Sequence, residues 1–164
     1  MTIGKDVKIL RVDLTKGSIE VQTLDDDFYR LYPGGKALAG YILLNELPPH
    51  TDPLSPENVL VIASGLMTGA PVSTATRYVV SARSPLTNAY GESEAGGFWG
   101  PELKQAGFEA IVVKGASTEP VYLWIKDGEV ELRPADHLWG RTTYEVQEAI
   151  RDELDDKKVR VLQI

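Results

Sequence analysis

Thr76-Arg77-Tyr78-Val79-Val80-Ser81-Ala82-Arg83-Ser84-Pro85-Leu86-Thr87, then Glu94-Ala95-Gly96-Gly97-Phe98-Trp99-Gly100-Pro101-Glu102-Leu103-Lys104-Gln105-Ala106-Gly107, then Ala110-Ile111-Val112-Val113-Lys114-Gly115, is the stretch that decides the fold. It reads as a strand over 77–82 that ends in a basic turn, a glycine pair opening a short helix over 101–105, and a buried strand over 110–114. Upstream, the unbroken apolar run over 59–63 suits the middle of a sheet. A helix over 36–47 places Leu38, Ile42 and Leu43 or Leu44 on one side and is stopped by Pro48-Pro49. Asp25-Asp26-Asp27 reads as the start of a short helix carrying Phe28, Leu31 and Tyr32. Before it, 8–14 and 18–23 alternate around Thr15-Lys16-Gly17 as a hairpin.

Downstream the order starts again. Segments 121–125 and 129–133 flank Lys126-Asp127-Gly128 as a second hairpin, followed by a helix over 142–154 and an apolar strand over 159–164. The expectation is an α+β fold, mostly antiparallel with short helices, forming one domain over 1–164. That domain divides into a first half-repeat over 1–115 and an incomplete second one over 116–164. A chain that stops on a buried strand is expected to be an N-terminal piece of a longer protein, because domains finish at the surface.

Composition limits the function classes. With 164 residues, 43% hydrophobic and 25% charged, the chain reads as a soluble globular domain with a core of its own. A formal charge of −7 opposes binding to a nucleic-acid backbone or an anionic membrane. No apolar run reaches the ~20 residues of a membrane span, and the N-terminus lacks a secretory pattern. Without cysteine there is no thiolate nucleophile, disulfide or cluster ligand in this chain. The expected location is cytoplasmic.

The candidate site lies in the opening stretch. Arg77 presents a planar fork suited to phosphate or carboxylate; an ordinary surface ion pair is the other reading. Glu94-Ala95-Gly96-Gly97 precedes a helix, and glycine lets main-chain groups approach a ligand closely; a plain turn is the alternative. Each signal alone is common, whereas their order along one stretch is specific. Glu102 and Lys104 read as a solvated helix face, and Trp99, Trp124 and Trp139 as packing anchors. His50 and His137 form no metal site or triad. Neither a phosphate-binding loop of the Gly-x-x-x-x-Gly-Lys type nor a Gly-x-Ser-x-Gly elbow is present.

The same string, with Gly34-Gly35-Lys36-Ala37-Leu38, resembles the N-terminal domain of the tungsten-containing aldehyde ferredoxin oxidoreductases, from about Val7 to Ile164. The resemblance implies an enzyme that oxidises aldehydes to carboxylic acids and passes electrons through a [4Fe–4S] cluster, ligated outside this chain, to ferredoxin. It implies a tungsten (or molybdenum) bis-pterin cofactor whose phosphates are bridged by magnesium. On that likeness Arg77 contacts the phosphate region, and Ala95, Gly96 and Gly97 lie against the pterin. Glu94, where relatives commonly carry asparagine, offers its backbone carbonyl to the magnesium, with its carboxylate turned away. Lys36 stands where many relatives carry arginine, as added positive charge or as a solvated lysine. The implied partners are the remaining domains, ferredoxin and a homodimer mate, and the isolated chain is expected to be inactive. The rival is a stand-alone, non-enzymatic binding or interaction domain using the same anion-binding surface.

Overall fold

The computed structural model describes residues 7–164; the first six residues of the expected 1–164 domain lie outside the described residues. Twelve elements follow in order: β1 (Lys8–Asp13), β2 (Ser18–Thr23), α1 (Asp26–Leu31), α2 (Gly35–Glu46), β3 (Val59–Ser64), β4 (Tyr78–Arg83), β5 (Tyr90–Ala95), α3 (Trp99–Gln105), β6 (Ala110–Lys114), β7 (Val121–Lys126), β8 (Glu129–Pro134) and α4 (Thr143–Glu153). Six strands form one sheet in the order β2-β1-β6-β3-β4-β5, and β7-β8 stand as a separate hairpin. Within the larger sheet only β1 and β6 run parallel; every other pair is antiparallel. The fold is α+β, mostly antiparallel with short helices, as the sequence implies.

The period-2 alternation of strands explains the layers. On one face Ile9, Val59, Val61, Ala63, Val79, Ala110 and Val112 meet Leu38, Ala39, Ile42 and Leu43 of α2. The buried stripe of α2 therefore settles on Leu43, and Leu44 faces solvent. On the other face Leu10, Val12 and Ile111 meet Leu103 of α3, Phe108, and Leu123, Ile125, Val130 and Leu132 of the hairpin. The hairpin's opposite side carries Tyr122 against Val146, Ala149 and Ile150 of α4. The arrangement is helix, sheet, then hairpin with α3, with α4 outermost.

Local chemistry sets the helix starts. The Asp25 carboxylate accepts from the backbone N–H groups of Asp27 and Phe28 at 2.9 and 3.2 Å, the capping role read from the acidic run. Thr142 and Glu145 form a reciprocal capping box at the start of α4. Three expectations are corrected. Residues 159–164 join no ladder; Val159 and Val161 instead pack on the α4 cluster, because an apolar segment becomes a strand only when a partner satisfies its backbone. Strand β5, which is polar, forms where no strand is expected. Trp139 is 79% exposed and anchors nothing, whereas Trp99 packs on Tyr78 with ring centres 5.0 Å apart.

Candidate functional site

The site begins in the β4–β5 pair. Their register sets Tyr78 opposite Ala95 and Val79 opposite Glu94, so Arg77, just before β4, meets Gly96, just after β5. The contact is direct: a Cβ on Gly96 would lie 3.8 Å from Arg77 Cδ and 3.9 Å from its Nε. The missing side chain leaves room along the arginine. Gly97 follows at φ +90° with open space where a Cβ would point, a backbone conformation that favours glycine. Since β5 is an edge strand, alternate carbonyl and N–H groups around Glu94 and Ala95 have no ladder partner.

A loop over 65–76 braces the arginine from behind. The Arg77 carbonyl accepts from Gly65 N–H at 3.2 Å and from the Thr68 hydroxyl. The same loop is pressed against the first turn of α3, where a Cβ on Gly100 would stand 3.2 Å from Thr68 Cγ2 and 3.3 Å from Thr76 O. A side chain there would have to push the loop back by a few tenths of an ångström. Among the described residues, no carboxylate lies within ion-pair distance of Arg77, so its fork is available to an anion.

The charge balance around it differs from either reading of Lys36. The Lys36 ammonium lies 2.6 Å from Glu92 Oε1 and 2.7 Å from Glu94 Oε1, neither free nor simply solvated. Lys36, by hydrogen bond and then by charge, holds the Glu94 carboxyl below the usual glutamate range, and Arg77 adds a smaller push in the same direction. The two carboxylates in turn raise the Lys36 ammonium above the ordinary lysine value. The Glu94 side chain is thus occupied by a lysine from α2. Arg77 has no carboxylate partner among the described residues, and the Glu94 main chain stays at the open edge.

Sequence reasoning missed three contributors. Arg160 lays its guanidinium over the Phe98 ring, 4.5 Å from the centroid, one residue beyond Gly97. Its distance along the chain left no signal in the sequence. Lys104, read as solvated, donates to the Leu66 carbonyl at 3.0 Å and lies 3.2 Å from Glu109 Oε2. Glu109 is buried and accepts from the Tyr29 hydroxyl at 2.7 Å; a charged residue directly before an apolar strand is the one hint that it turns inward. The arrangement offers an exposed arginine, a glycine-lined edge and main-chain acceptors: a cradle for a polyanionic ligand.

Known proteins share this chain's pattern. The family described as "Aldehyde ferredoxin oxidoreductase, N-terminal domain" matches residues 9–164. The tungsten-containing aldehyde ferredoxin oxidoreductase of Pyrococcus furiosus is 43% identical over 157 residues, which cover 96% of this chain and 26% of that protein. The WOR-like subunit of an aliphatic sulfonate oxidoreductase from the same organism is 35% identical over 153 residues, 92% of this chain and 24% of its own length. Among solved structures, the active site complex BamBC of benzoyl coenzyme A reductase, in complex with 1,5-dienoyl-CoA, superposes with a TM-score of 0.89 at 44% identity. The match covers 92% of this chain and 23% of that one. The chain therefore spans about a quarter of the length of the relatives it matches.

Proposed function

The chain belongs to the aldehyde ferredoxin oxidoreductase family as its N-terminal domain, and from that premise we propose that it cradles a tungsten (or molybdenum) bis-pterin cofactor in a longer enzyme. The observation that carries the reading is Arg77, unpaired by any described carboxylate and running along Gly96, while Lys36 engages Glu92 and Glu94. This residue set fits the group: a fork for phosphate, a glycine edge against which a flat ring system can lie, and a neighbouring glutamate whose side chain is engaged by Lys36. Arg77 would hold phosphate oxygens, Ala95, Gly96 and Gly97 would line the pterin, and the Glu94 carbonyl would face the magnesium between the phosphates.

Bound, such a cofactor supplies two-electron redox chemistry at its metal; the protein's part is to bind, orient and shape the pocket. The proposed reaction is oxidation of an aldehyde to a carboxylic acid, with electrons leaving through a [4Fe–4S] cluster to ferredoxin. Cysteine ligands for that cluster would come from outside this cysteine-free chain, and the 164-residue chain alone would not turn over.

The test is Arg77→Ala in the longer enzyme, with tungsten and pterin content measured against protein. Loss of both in a folded variant supports the assignment; unchanged content overturns it. A second reading concerns the substrate. The likeness to the BamBC complex is of the same degree as that to the aldehyde oxidoreductases, which favours reduction of an aromatic acyl thioester as the alternative. Turnover of an aldehyde or of an aromatic acyl thioester by the loaded enzyme separates the two.

A further inference from the structure

Behind the cradle lies a connected set of buried and half-buried polar groups to which neither the fold nor the proposed cofactor contacts assign a role. Tyr29 on α1 donates to Glu109 Oε1 at 2.7 Å. The other oxygen, Oε2, lies 3.2 Å from the Lys104 ammonium on α3. Lys104 also donates to the carbonyl of Leu66 at 3.0 Å. The side chains of Glu109 and Lys104 are only 9% and 19% exposed, so this differs from a surface ion pair that water would weaken. The turn before α2 is shaped around it: a Cβ on Gly34 would fall 2.6 Å from Glu109 Oε1 and 2.5 Å from Ser64 O.

What the set holds is the loop that bears the arginine. Leu66 follows Gly65, whose N–H donates to the Arg77 carbonyl, and Thr68, two residues on, donates its hydroxyl to that same oxygen. Without the Lys104 bond, the Leu66 carbonyl and the loop lose a tie to α3 through a charged group. An apolar core would have fixed β3 and β6 equally well. A buried carboxylate is costly unless it is bonded, and Glu109 is held by the Tyr29 hydroxyl and the half-buried Lys104 ammonium, so its presence calls for a reason beyond packing.

We propose that Tyr29, Glu109 and Lys104 form a positioning network that fixes the 65–76 loop and thereby aims Arg77 at its anion. The inference rests on the reading of Arg77 as an anion-binding residue. Burial, and then the neighbouring carboxylate, push the Tyr29 hydroxyl upward, which keeps it a donor to Glu109.

The experiment measures amide hydrogen exchange and inorganic pyrophosphate binding in the 164-residue chain and its variants. Lys104→Met is expected to lower protection of the Gly65, Thr68 and Gly69 amides while the Ile62–Val80 region of the β3–β4 ladder keeps its own. It is expected to weaken pyrophosphate by about tenfold, the equivalent of ~1.4 kcal/mol. Lys104→Arg, which keeps the charge and donors, should restore both. Tyr29→Phe, a milder change that spares the fold, should move both in the same direction by less. Unchanged loop protection in Lys104→Met and Tyr29→Phe overturns the network. So does unchanged affinity in those variants when Arg77→Ala still weakens binding. If Arg77→Ala leaves pyrophosphate binding unmoved, the anion reading of Arg77 falls, and loop exchange alone decides the network.

Discussion

A methyl group added at residue 34 would collide with two oxygens, Ser64 O and Glu109 Oε1, and would sit on a backbone at φ +69°. Gly34→Ala should therefore destabilise the chain by more than about 1 kcal/mol, read by urea unfolding. Gly17→Ala, at φ +63° with open space around it, should cost less because it meets only the backbone penalty. Lys36 and Glu94 give a pH-dependent counterpart. Glu94 titrates below its ordinary value of 4.5 in the folded chain because Lys36 bonds its ionised form. The folded state then binds fewer protons than the unfolded one in that range. The pairing's contribution to stability is complete above about pH 4.5 and is lost as pH falls through the lowered value. Lys36→Met should move the Glu94 carboxyl titration upward, followed by carbon-13 shifts of its side chain; an unmoved titration would remove Lys36 as the cause.

At the scale of elements, the parts that were legible and the parts that were not differ in where their stability comes from. The strands β3 and β6 carry unbroken apolar residues, Val59-Leu60-Val61-Ile62-Ala63 and Ala110-Ile111-Val112-Val113, and both lie inside the sheet as that pattern implies. Strand β5 reads Tyr90-Gly91-Glu92-Ser93-Glu94-Ala95, with no apolar alternation. It exists because all six residues pair in register with β4, a tertiary effect that local propensity does not contain. Since β5 carries Glu94 and Ala95 and delivers Gly96 to Arg77, the candidate residues could be named from the sequence while the contact between them could not. Residues 159–164 show the converse, an apolar pattern with no ladder. The capping box of α4 makes an element-scale prediction: Thr142→Ala should cost about 1 kcal/mol. The loss should appear first as faster amide exchange in the opening turn of α4.

Across the whole molecule, one sheet covered on both faces determines where the site can be. Apolar residues of α2 cover one face, and α3 with the β7–β8 hairpin cover the other. That leaves the two edges, β2 and β5, and of these the β5 edge carries the glycine run beside Arg77. The seam between α2 and the sheet holds that layering together. Leu38, fully buried against β3 and β4, is the sharpest probe, and Leu38→Ala should cost about 2–5 kcal/mol by chemical denaturation. The fold class and the two-hairpin order could be read from the sequence because they rest on periodicity and turn chemistry, and the Thr76–Gly115 stretch supplied the candidate residues of the proposed site. The pairing of Lys36 with Glu92 and Glu94, the Arg160 stack and the buried Glu109 could not, because each joins residues far apart in the chain. The central claim is that the Arg77–Gly97 border holds the phosphates of a metal-bearing pterin. It is tested most directly by a crystal structure of the longer, loaded enzyme. The account predicts cofactor phosphate oxygens within hydrogen-bond distance of the Arg77 guanidinium, with the pterin against Gly96 and Gly97. A cofactor bound elsewhere, with Arg77 left in solvent, would contradict it.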